Sequence, residues 1–195
     1  MTYTDTLARL AKTSEEGAAR LWGLCERGTI TPAEFNEVAS DYLLAVRDQG
    51  ANTASVAFRN WLEERTGVEQ AAQIPPLPDD LERLRIALRK IVGGDGDIAM
   101  RLARLAGNEA LDAAAGELAR QLQTSARVSG WRRKLEPDAC QLCTWWWRNG
   151  RIFQADHPMP RHVGCGCHQQ PVFRELTDNY QTADQAKKAS KRKRR

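Results

Sequence analysis

CQLCTWWWRNGRIFQADHPMPRHVGCGC, residues 140–167, holds four of the five cysteines and two of the three histidines in a chain of 195 residues, and His168 follows at once. A chain this long buries a core without crosslinks. Its opening, MTYTDTLARLAKTSEEG, has no basic stretch leading into an apolar run, so no secretory signal is expected, and no segment has the apolar length that spans a bilayer. In a reducing cytoplasm such a cluster reads as a metal site and not as a disulfide framework. Cys140 and Cys143 form a C-x2-C pair, and after eighteen residues His162 and Cys165 repeat the two-residue gap. The pattern C-x2-C-x18-H-x2-C matches the spacing of a four-ligand structural Zn2+ site. The expected ligands are Cys140, Cys143, His162 and Cys165; Cys167 could replace His162 or Cys165, and His157 stands behind it. His168 is expected to be exposed or to sit behind the ligands. A fully ligated ion leaves no open position for water or substrate, so its work is folding, not hydrolysis.

Between the two knuckles lie Trp145, Trp146 and Trp147, then Arg148-Asn149-Gly150-Arg151. Asn-Gly is a strong turn signal, and Arg151-Ile152-Phe153 is expected to return as a strand, placing Trp145 and Trp147 on one face of a hairpin and Trp146 on the other. One face would cover the metal. The remaining ring or rings are candidates for a partner interface, since tryptophans flanked by arginines recur at binding hot spots and base-stacking surfaces.

Residues 1–130 read as helix throughout. Leu7, Leu10, Ala18, Leu21 and Cys25 recur at near-helical spacing, with Cys25 as a small buried side chain and Gly28 as a C-terminal cap. Thr31-Pro32-Ala33-Glu34 has the residues of a capping box, opening a second helix with Phe35, Val38, Tyr42 and Val46. That stripe resumes at Val56, Phe58, Trp61 and Leu62 after a softer patch at Gly50, expected as a kink or break. Pro75, Pro76 and Pro78 mark a corner, after which Asp79 or Asp80 caps a helix carrying Leu81, Leu84, Leu88 and Ile91. A fourth stretch follows the Gly93–Gly96 break with Ile98, Leu102, Leu105, Leu111, Ala115, Leu118 and Leu122, weakened at Gly107 and Gly116.

The expected fold is therefore mainly α. An elongated helical bundle or set of helical hairpins (1–130) serves as scaffold and docking surface, followed by a small zinc-binding β-hairpin module (131–175) and a flexible, disordered basic tail (176–195). No histidine lies in residues 1–130, and the carboxylates there are expected to be scattered on polar faces. The chain has no H-E-x-x-H, G-x-S-x-G or Walker loop, which argues against catalysis. Net charge is +4, but Lys187, Lys188, Lys191, Arg192, Lys193, Arg194 and Arg195 carry seven positive charges, leaving residues 1–186 at −3. Such a tail offers a salt-sensitive grip on nucleic-acid phosphates.

With those residues in view, Cys140, Cys143, Gly150, Ile152, Phe153, His162, Cys165, Cys167, Pro171 and Val172 together resemble the C-terminal motif of the phage Mu F-like minor head proteins, in the form found in tailed phages of actinobacteria. The likeness covers about residues 131–173. It implies a minor capsid protein acting in head morphogenesis, associated with the portal or major capsid protein on the inside of the head, made in the host cytoplasm and carried in the virion in few copies around the portal. In that setting the tail would contact packaged DNA. Some relatives carry the label capsid maturation protease, which is the alternative expectation. Asn149-Gly150 replaces the family's more common Asp-Gly type of turn, and the tryptophan triplet is bulkier than usual.

Overall fold

A computed structural model describes residues 2–67 and 80–174. Four helices come first: α1 (Tyr3–Glu26), α2 (Pro32–Thr66), α3 (Leu81–Val92) and α4 (Ile98–Thr124). Then come β1 (Val128–Lys134), the short helix α5 (Gln141–Trp147), a 3-10 turn at Arg148–Gly150, β2 (Ile152–Gln154) and β3 (His168–Phe173). The molecule is mainly helical, with one small antiparallel sheet near its C-terminal end, ordered β2-β1-β3. The proline-rich corner, Asp79 and the basic residues 187–195 lie outside the described residues.

Local chemistry sets several of these boundaries. Thr2 with Asp5 and Thr31 with Glu34 form reciprocal capping boxes: each hydroxyl accepts an N–H of the first turn while the carboxylate accepts the cap residue's own N–H. Past the end of α1, Gly28 turns the chain at φ 68°, a conformation that glycine adopts without a Cβ penalty. Asp80 precedes α3 as expected but caps nothing. Its carboxylate instead meets Arg47 of α2 at 2.6 Å and Arg83 at 3.4 Å.

The softer patch at Gly50 is neither a kink nor a break, because α2 runs unbroken through it. A Cβ on Gly50 would collide with the Ala110 carbonyl of α4, so glycine is there for close helix approach. Ala106, Ala110 and Ala114 on α4 and Ala51 and Ala54 on α2 are all buried, and the two backbones close together over these small side chains. Larger apolar residues fill the ends of the bundle. One cluster joins Trp22, Phe35, Leu43, Leu84, Leu88 and Leu102. The other joins Leu7, Phe58, Leu62, Leu118 and Leu122 to Val128 and Trp131 of β1. The expected boundary between residues 130 and 131 thus falls inside a strand whose side chains belong to the helical core.

The carboxylates of residues 1–130 are not all scattered on polar faces. Glu109 is 4% exposed, and both its oxygens accept from Arg83 at 2.8 Å while one also accepts from Arg47 at 2.7 Å. Glu117, also buried, takes Ser55, Arg120 and Gln121 at 2.7 to 2.8 Å. Burial alone would raise the Glu109 carboxyl, but the two guanidiniums outweigh it and hold the group below the usual carboxylate range.

Two outcomes are expected. Gly50→Ala, which helix propensity alone would favour by about 1 kcal/mol, will instead destabilise the protein by about 1–2 kcal/mol in urea titrations, because overpacking at a backbone carbonyl costs more. Glu109→Gln, which leaves Arg47 and Arg83 to share the single charge of Asp80, will cost about 1–3 kcal/mol at pH 7. The folded pKa of Glu109 is depressed, so its stabilisation is present above the unfolded value and fades as acid protonates it; the gap between wild type and variant will shrink below about pH 4.

Candidate metal centre

The cluster is assembled by one helix start and one returning loop. Cys140 is the N-cap of α5, and its sulfur accepts the Cys143 N–H at 3.5 Å, a bond that a hydroxyl makes at ordinary helix starts. One turn on, Cys143 is fully buried. The loop from β2 to β3 returns with a turn in which the Cys165 N–H meets the His162 carbonyl at 3.2 Å and Gly164 sits at φ 73°. His162 Nε2 then lies 3.2 Å from both Cys140 Sγ and Cys143 Sγ, and Cys143 Sγ lies 3.5 Å from Cys165 Sγ. A tetrahedral ion with Zn–S and Zn–N bonds of ordinary length has edges of about 3.5 to 3.8 Å. These three contacts are already within a few tenths of an ångström of that figure, although no four of the donors lie within 4.8 Å of one another.

Two triads share Cys143: Cys140, Cys143 and His162, and Cys143, Cys165 and Cys167, the ligand atoms of each lying within 4.8 Å of one another. This cluster can hold a metal ion. The imidazole is set for it, since Nδ1 donates to the Val163 carbonyl at 2.9 Å and so leaves the Nε2 lone pair directed at the sulfurs. Cys167 has a second engagement. Its thiol donates to Glu136 Oε1 at 3.6 Å, an oxygen that also accepts the Gly166 N–H at 3.1 Å.

His157 and His168 depart from expectation. The His157 ring stacks on Phe153 at 4.9 Å, and its carbonyl accepts the Trp131 indole N–H at 3.0 Å, so it is a packing residue outside both triads. His168 is not exposed. It is 5% accessible, edge-on to Tyr3 at 4.8 Å and stacked on Trp61 at 6.1 Å, and burial pushes its pKa down to about 4.

The tryptophans do not form a hairpin. They are the last three residues of α5, and Asn149-Gly150 ends that helix through three successive positive φ angles, 50° at Arg148, 55° at Asn149 and 77° at Gly150. Ile152–Gln154 is a strand, as expected in part, but it pairs with β1. Helical spacing turns the three rings apart. Trp146 lies over His162 and beneath the Arg133 guanidinium, Trp147 lies beside Gly150, and Trp145 is 62% exposed.

Several supporting groups were not foreseen. Arg133 is 2% exposed, directs Nη1 at Cys143 Sγ from 3.7 Å and also donates to the Pro160 carbonyl. Its signal was present in the sequence: a strand over VSGWRRK places Trp131 and Arg133 on one face, and both are buried. Arg161 donates to the Cys165 carbonyl at 3.0 Å and the Cys167 carbonyl at 3.4 Å, and it reaches Asp112 of α4 at 3.2 Å. The Gly164 N–H donates to Asn108, also on α4, at 3.0 Å. The ligand loop is therefore tied to the helical body.

Without a cation the thiols share charge unevenly. The neighbouring Cys167 side chain holds Cys165 down to about 4, while burial pushes Cys143 up to about 12 and the Cys165 sulfur beside it pushes Cys167 up as well. The Cys143 N–H lowers Cys140, and the bond to the Val163 carbonyl raises His162. Metal binding must displace these protons.

Charge also divides differently from the sequence expectation. Residues 127–174 carry eight arginines and lysines against three carboxylates, a net +5, whereas residues 1–126 carry fourteen against nineteen, a net −5. The basic character is not confined to the tail. Compared with protein-family models, curated proteins and solved structures, the chain has no match in any of the three.

Because Cys143 belongs to both triads, Cys143→Ser will abolish cobalt or zinc binding whichever donors complete the site. Wild-type affinity will rise about tenfold or more per pH unit between pH 6 and 8, since at least the Cys143 proton is released on binding. A competition titration against a chromophoric chelator measures both.

Proposed function

We propose that this chain is a non-enzymatic structural protein, a Mu F-like minor head protein of a tailed phage, whose C-terminal part is folded around one structural Zn2+. The ligands in this reading are Cys140, Cys143, His162 and Cys165. The observation that carries it is the seat of His162, whose Nε2 faces two sulfurs at 3.2 Å while Nδ1 is spent on a carbonyl. Cys165 is favoured over Cys167 as fourth ligand because its Sγ lies 3.5 Å from Cys143 Sγ, whereas the Cys167 thiol is engaged by Glu136. Three thiolates, one imidazole and a divalent ion sum to a single negative charge, and the buried Arg133 beside Cys143 supplies the matching positive one.

Four ligands close the shell, so the ion's contribution is to hold β1, α5 and the ligand loop together. The step to a phage head rests on the motif from Cys140 to Val172 and on nothing else. In that reading the helical body docks on the portal or the shell, and tail residues 187–195 reach packaged DNA.

Purified protein is expected to carry one zinc per chain, retained in Cys167→Ser and lost in Cys165→Ser, as read by elemental analysis. The reverse pattern would reassign the fourth ligand. Quantitative mass spectrometry of particles will find the chain in a low, fixed ratio to the portal. Its absence from both proheads and mature particles would remove the minor-head reading while leaving the zinc assignment untouched.

A further inference from the structure

The outward side of α5 has no role in holding the metal. Leu142 and Trp145, one turn apart, are 41% and 62% exposed, and with Gln141, Thr144, Arg148 and Asn149 they line an open recess of about 750 Å3. Trp145 is a large ring to leave in water, and nothing in the helix requires it there. The Arg148 guanidinium lies over it, 4.9 Å from the ring centroid.

The surroundings are cationic. Arg148, which lines the recess, and Arg151, just past the turn that ends α5, are exposed, and among the described residues neither has a carboxylate within ion-pair distance. Arg151 lies over the Phe153 ring at 5.4 Å. Cations left without acids suit a polyanion, and an open aromatic face beside them suits a flat ring.

We propose that this surface binds single-stranded nucleic acid, with an unpaired base stacked on Trp145 and the phosphates running past Arg148 and Arg151. A base in a duplex keeps both faces covered and has none to offer the indole, so the ring selects for unpaired strands, while the arginines are indifferent to sequence. Arg148 on the indole prepares the stack, because a guanidinium over a ring adds a cation–π contact to whatever stacks beside it. An acidic peptide would satisfy the arginines equally well but would not need a planar partner for the tryptophan. The inference does not depend on the phage-head reading.

The test uses the full zinc-loaded chain and three probes: a fluorescein-labelled twenty-residue oligothymidylate, a duplex of the same length and poly-glutamate as competitor. Fluorescence anisotropy should show oligothymidylate binding that weakens as salt rises. Trp145→Ala, at a site exposed enough to leave the fold intact by circular dichroism, should weaken it roughly 5- to 100-fold while changing duplex binding less than about twofold. Trp145→Phe should recover part of the loss. Arg148→Gln should lower the salt slope by about 1 on both nucleic acids. Equal oligothymidylate affinity in wild type and Trp145→Ala would overturn the proposal. So would a Trp145→Ala loss of the same size on duplex, or poly-glutamate displacing the oligonucleotide more effectively than unlabelled oligothymidylate, which would make this a protein-docking face.

Discussion

The contact that everything else leans on is the close approach of α2 to α4. It is made possible by Gly50 and by the buried alanines facing it, and small side chains there let two backbones meet without a thick apolar layer between them. Such a seam has little area per residue to bury, so its hydrophobic contribution is modest. Glu109 and Glu117 supplement it. Each projects from α4 and is met by groups from α2: Arg47 in one case, Ser55 in the other. These bonds fix the register of the two helices, and Arg83 and Asp80 bring the start of α3 into the same network.

Helix α4 is also the shelf for the metal loop. Asn108 and Asp112 sit one helical turn apart, and Asn108 additionally donates to Asp112 at 2.7 Å. Glu109, between them in sequence, serves the bundle, so adjacent positions on one helix hold different parts of the molecule. A metal ion added to the cluster would therefore stiffen more than its own ligands. The sheet that carries Arg133 shares Trp131 with the helical core, so ligand geometry and bundle packing meet in one strand.

What the sequence made legible was what depends on near neighbours. The Thr31 capping box, the Gly28 turn and the donors of the Cys/His pattern are set by spacings of two to four residues or by ligand chemistry. Asp80 misled because its partner Arg47 is distant in sequence, and a carboxylate at a helix start is claimed by whichever cation is closer. Glu109 and Glu117 looked like surface acids for the same reason: their burial depends on arginine, serine and glutamine partners brought to them by the fold, several of them on other elements. The tryptophan triplet failed differently. Aromatic residues followed by Asn-Gly fit a strand and a turn, but Cys140 as N-cap commits the chain to helix before the tryptophans are reached, and Asn149 and Gly150 then serve as the stop.

That commitment has a physical consequence for the outward face. A helix of seven residues is far below the length that holds together alone in water. Of its residues only Cys143 is fully buried, and its first turn is closed by the Cys140 sulfur. The sulfur that closes that turn and the sulfur that buries it are both among the donors that could hold a metal ion. If they are pinned by an ion, Trp146 stays over His162 and helical spacing holds Trp145 outward beside Arg148. If they are released, α5 keeps only the bonds of Thr144 to the Cys140 carbonyl and the packing of Trp146 against Arg133 and His162. The Cys/His cluster and the exposed aromatic recess are in this sense one object: the inner face of a single helical turn carries donors that could hold a metal ion, and an ion bound there would help orient the outer face.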